Sequence, residues 1–143
     1  MRYVLSDTYF ILERIKEILD IELVKEQVVG PFGYFDSVYI NETHYVFVDA
    51  VNEDENLALK KSLTKLIWFL ESMPKQRLFY VLSITQGDKE DELTIWFLRK
   101  LYRQYNGRFL FYLRFRREFS HISFPLLKDF YQRFLENKHP LIQ

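Results

Sequence analysis

The chain has 143 residues, of which 48% are hydrophobic, 18% aromatic and 28% charged; this composition excludes disorder and fits one globular domain over residues 1–143. With no Cys, disulfides, thiolate metal sites and Cys nucleophiles are excluded. Lys and Arg number 20, Asp and Glu also 20, and a formal net charge of zero speaks against an overall polybasic binder of nucleic acid or membrane.

Residues 7–20 predict an amphipathic helix, capped by Ser6 or Asp7, with Phe10, Ile11, Ile15, Ile18 and Leu19 along one side. Residues 21–29 alternate loosely and read as a strand. Gly30-Pro31-Phe32-Gly33 is the clearest turn signal. Tyr34 to Ile40 and His44 to Val51 predict two further strands around the polar turn Asn41-Glu42-Thr43. These three strands fit an antiparallel meander.

The period then changes. Apolar residues at 59, 63, 66, 67 and 70 give Leu57 to Ser72 helical spacing, with Pro74 as a stop. Leu78 to Ile84 is a continuous apolar run, the mark of a strand buried on both faces. Asp88 to Tyr105 predicts a helix with acids at its start and Arg99, Lys100 and Arg103 near its end, complementing the dipole. Asn106-Gly107 terminates it. Arg108 to Phe115 reads as a strand and Pro125 to Asn137 as a final helix. The expected class is α/β (α+β), with the order α-β-β-β-α-β-α-β-α. A mixed central sheet carries helices on both faces. Residues 1–7 lack an apolar signal core, and no apolar run approaches the ~20 residues that span a bilayer. A cytoplasmic protein is the expectation.

Two aspartates frame the predicted second hairpin. Asp36 lies early in one strand and Asp49 near the end of the next. On antiparallel neighbours this spacing can bring both carboxylates to one end of the sheet. Paired carboxylates suit Mg²⁺, which would activate water and stabilise a phosphoryl transition state. A structural role fits the same residues. Asp36 can cap the turn after Gly33, and Asp49 can mark the end of its strand.

The helix-strand-strand-strand-helix-strand order over about residues 7–84, with Asp36 and Asp49-Ala50-Val51, resembles the PD-(D/E)xK restriction-endonuclease-like superfamily. The resemblance implies Asp36 and Asp49 as metal acids, with Glu13 as an extra helical acid and Mg²⁺ or Mn²⁺ as the ion. It places Val51 where the family has its lysine, and valine cannot position or activate water. Some members carry that lysine on the following helix, where Lys60 and Lys61 stand here.

Basic residues gather late in the chain. Residues 1–93 hold 10 Lys and Arg against 17 Asp and Glu; residues 94–143 hold 10 against 3. Arg99, Lys100, Arg103, Arg108, Arg114, Arg116 and Arg117 are the candidate contacts to nucleic acid, because basic grooves track phosphates while aromatics stack on bases. For the aromatics of Arg108–Phe119 the preferred reading is packing, with Phe109, Phe111, Leu113 and Phe115 inward and Tyr and Arg outward. Trp68-Phe69 and Trp96-Phe97 occupy equivalent places in two helices and are expected to pack on the sheet; either one facing outward would mark an interface. His44, His121 and His139 form no metal motif, and His44 is expected to be exposed. The function expected is a nuclease-like domain that binds DNA or RNA with lost or weak catalysis. The alternative is a protein-interaction domain, paired with a partner or with itself through opposed acidic and basic faces.

Overall fold

A computed structural model describes the backbone of residues 2–22, 24–30, 33–41, 43–52, 56–85, 92–106, 108–116 and 124–138, with side chains described over 10–22, 43–51, 58–84, 92–106, 108–115 and 124–138. The elements run α1 (Arg2–Leu19), β1 (Val24–Gly30), β2 (Gly33–Asn41), β3 (His44–Asn52), α2 (Asn56–Ser72), β4 (Arg77–Thr85), α3 (Glu92–Gln104), β5 (Phe109–Arg116) and α4 (Leu127–Leu135). The class and element order are those the sequence predicts.

The five strands form one sheet in the order β1-β2-β3-β4-β5. β1, β2 and β3 pair antiparallel, as the short turns between them require. β3-β4 and β4-β5 pair parallel, because each is joined by a helix long enough to carry the chain back. Asn52, Thr85 and Arg116 therefore end the three parallel strands in one register row.

Helices cover both faces, so the core has two layers. Phe47, Val51, Tyr80, Leu82, Phe109 and Phe111 meet Leu66, Phe69 and Leu70 of α2 and Leu98 and Leu101 of α3. Phe69 stands edge-on to Tyr45 and Phe47, with centroids 5.4 and 4.7 Å apart. On the other face Val46, Val48, Phe79, Val81, Leu110 and Tyr112 meet Ile11, Ile15 and Leu19 of α1 and Leu127, Tyr131 and Phe134 of α4. Every residue from Leu78 to Ile84 is buried, which explains why β4 reads as an unbroken apolar run.

Four expectations need correction. Trp96 does not pack on the sheet but is 57% exposed, because Thr94, Leu98 and Leu101 hold the core side of α3. α1 begins at Arg2, so Ser6 and Asp7 lie inside it and do not cap it. No Gly or Pro precedes them to stop the helix. On β5, Tyr112 and Arg114 do not face solvent, because the α1/α4 layer covers that side. His44 is half-buried: its Nδ1 lies 2.8 Å from Thr43 Oγ1 and its Nε2 3.1 Å from Asn137 Oδ1, with Phe134 edge-on at 5.2 Å. It ties the start of β3 to the end of α4. His121 and His139 lie outside the described residues.

Candidate functional site

Alternation along β3 puts Phe47, Asp49 and Val51 on the α2/α3 side. Asp49 is half-buried near the carboxyl end of the strand. Ser62, on the buried side of α2, donates its hydroxyl to Asp49 Oδ2 at 2.6 Å. Tyr80 Oη lies 2.5 Å from the same Ser62 oxygen. Serine has one proton, and the carboxylate takes it; the phenol therefore donates to Ser62. The result is a directed chain, Tyr80 to Ser62 to Asp49, from the core outward. Ser62 is 2% exposed and Tyr80 1% exposed. Burial pushes the Tyr80 phenol well above the ordinary tyrosine range, and the nearby Asp49 charge adds to that; the Ser62 hydroxyl, able to turn toward a phenolate, pulls the other way.

The sequence did not single out Ser62 or Tyr80. Ser62 falls on the apolar stripe of α2 with Leu59, Leu63 and Leu66, and a polar residue at a core position is the signal that marks it.

The other candidate acids lie on other elements. Glu13 rides on α1, over the opposite face of the sheet, and pairs with Lys16 at 3.3 Å. Asp36 lies in β2, in register with Lys25 and one residue before the Ser37–Phe47 pair. Asp49 lies two residues beyond Phe47, so the two positions share an end of the hairpin but have opposite parity along the ladder. Among the described residues no group of three His, Asp or Glu side chains could hold a metal ion. The described side chains alone therefore do not make a multi-carboxylate Mg²⁺ site; the Asp36 side chain lies outside them. Val51 is buried in the core below Asp49, and Lys60 and Lys61 are exposed on the first turns of α2.

The basic candidates separate into two groups. Lys100 and Arg103 are exposed on α3, and Arg99 is half-buried beside them. Arg108 and Arg114 instead serve the fold. Arg108 Nη1 donates to the carbonyls of Met73 at 2.7 Å and Gln76 at 2.8 Å, and Nη2 donates to that of Leu70, closing the carboxyl end of α2. Arg114 is 4% exposed, donates to Ser83 Oγ at 3.1 Å and lies 4.9 Å from the Phe124 ring. Surface exposure, expected for all the arginines, fails for Arg114 because α4 and Phe124 close over that face. The Arg116 side chain and all of Arg117 lie outside the described residues.

Layer by layer, the charge is uneven. α2 and α3 together carry Lys60, Lys61, Lys65, Arg99, Lys100 and Arg103 against only Glu71 and Glu92. α1 is balanced, with three basic and three acidic residues, and α4 carries Lys128 and Arg133 against Asp129. The positive layer and Asp49 share one face of the sheet, and α2 and α3 both start from the carboxyl end of the parallel strands. Open α/β sheets bind their ligands at that end.

Comparison with known proteins finds no matching family model, no matching curated protein and no matching solved structure. Among the described residues, no helix is long and apolar enough to cross a membrane.

Proposed function

We propose that this chain is a nuclease-like domain that binds nucleic acid, with its catalysis lost or weak. The observation that carries the proposal is the excess of basic over acidic side chains on the α2/α3 layer, the layer that faces Asp49. Phosphate contacts supply the sequence-independent part of such binding, and exposed Lys and Arg make them. The element order behind the PD-(D/E)xK resemblance, helix, three strands, helix, strand, spans α1 to β4. Two features support weak or lost catalysis: a buried valine stands where the resemblance places a lysine, and the Asp49 carboxylate accepts the Ser62 hydroxyl.

Labelled DNA and RNA oligonucleotides, titrated with the protein across a salt series, test the binding. The expected result is measurable affinity at low salt that falls steeply as salt rises. No binding at low salt contradicts it. Incubation of the same oligonucleotides with Mg²⁺ or Mn²⁺ tests the catalysis. Little or no cleavage is expected, and brisk cleavage abolished by Asp49→Ala would show an active nuclease instead.

A second reading, a protein-interaction domain, draws on the opposite layer, where Phe10 of α1 and Leu126 before α4 are exposed. Light scattering of the purified chain at low and high salt tests it; a monomer at every concentration counts against self-association.

A further inference from the structure

The outer side of α3 combines features that α2 lacks. Leu93 is 76% exposed and Trp96 57% exposed, whereas Trp68 of α2 packs against the core. Leu93, Trp96, Lys100 and Arg103 follow one another at spacings of three and four residues, so they form one stripe about 15 Å long. The Lys100 ammonium lies 5.1 Å from the Trp96 ring. Arg99 flanks the stripe, and among the described residues its buried Nε has no hydrogen-bond partner. Thr94, Leu98 and Leu101 hold the opposite side of the helix in the core, so the stripe sits on a rigid support.

We infer that this stripe is a stacking site for the unpaired bases of single-stranded nucleic acid, resting on the proposed nucleic-acid-binding role of the α2/α3 layer. An exposed indole costs hydration free energy unless something covers it. A base offers a flat π-face of matching shape, and its phosphates offer negative charge to the exposed Lys100 and Arg103. On stacking, the base replaces the ammonium over the ring, and Lys100 moves to the adjoining phosphate. A duplex keeps its bases stacked internally, so it engages the cations but not the indole. The site therefore discriminates by strandedness, not by sequence, because every base has a π-face. The stripe starts at the carboxyl end of the sheet, the end toward which Asp49 lies.

The test uses the whole chain, oligothymidylate and a mixed-sequence duplex with the same number of phosphates. The wild type is expected to bind the single strand more tightly, with quenching of tryptophan emission. Trp96→Ala is expected to weaken single-strand binding at least about fivefold, the lower end for losing one stacked base. Its duplex affinity and salt slope stay unchanged, and Trp96→Phe retains most of the affinity. If Trp96→Ala binds both ligands as the wild type does, or loses equally on both, the stacking site is wrong while the nucleic-acid reading stands. If neither oligonucleotide binds at low salt, both fall; quenching by an acidic leucine-rich peptide in that case assigns the stripe to a protein partner.

Discussion

Ser62 shows how much one hydroxyl decides here. It connects a phenol in the core to a carboxylate at the rim, and neither neighbour would be placed the same way without it. Ser62→Ala leaves the Tyr80 hydroxyl buried without that acceptor, which costs about 1–3 kcal/mol in urea unfolding. Tyr80→Phe in the same background recovers part of the loss, because the orphaned hydroxyl is then gone. Strictly additive losses would mean that the two hydroxyls act independently. Tyr80 also carries a pH signature. Its phenol is held above the ordinary tyrosine value near 10, so the folded state keeps that proton more tightly than the unfolded chain does. The resulting stability is fully present below the ordinary value and is lost as pH rises through it toward the folded value. An alkaline titration followed by phenolate absorbance is therefore expected to show a late component from Tyr80, beside the raised Tyr102, Tyr105 and Tyr131. In Tyr80→Phe that late component shrinks. Single residues were the hardest scale to read from sequence. Asp49 and Val51 stand out in a strand pattern, but Ser62 and Tyr80 gain meaning only when β3, α2 and β4 meet.

At the scale of elements, periodicity did most of the work. The 3.6-residue pattern of α2 and the unbroken apolar run of β4 follow from burial on one stripe and on two faces, and burial is what composition records most directly. Charge was less legible. Arg108 and Arg114 look like surface cations in the sequence, yet one closes a helix and the other is packed under Phe124. Nothing local distinguishes a guanidinium that meets solvent from one that meets carbonyls. Arg108→Ala removes the donor shared by the Leu70, Met73 and Gln76 carbonyls at and just beyond the end of α2, and chemical denaturation should show a loss of about 2 kcal/mol. Arg108→Lys restores only part of that, because an ammonium lacks the planar fork that reaches several carbonyls. An unchanged midpoint for Arg108→Ala would remove Arg108 from the helix terminus and return it to the surface candidates.

Across the whole molecule, the zero net charge proves to be a sum over unlike parts. Dividing the sequence into an acidic first part and a basic second part captures the imbalance but not its placement, because α2, from the acidic part, joins α3 in the positive layer. The sequence could not show this, since the layers are set by the parallel crossovers, and these become visible only once β3, β4 and β5 lie side by side. The same packing separates Glu13 from Asp49 by the thickness of the sheet, which no spacing along the chain reveals. The proposed nucleic-acid role requires the α2/α3 layer to bind phosphate. Its most direct test is the dependence of duplex DNA affinity on salt for the wild type and for a variant with Lys60, Lys61, Lys100 and Arg103 all changed to Gln. A clear negative slope of log affinity against log salt is expected for the wild type, made shallower in the variant by ~0.9 for each phosphate contact removed. Equal slopes and equal affinities for the two proteins would contradict it.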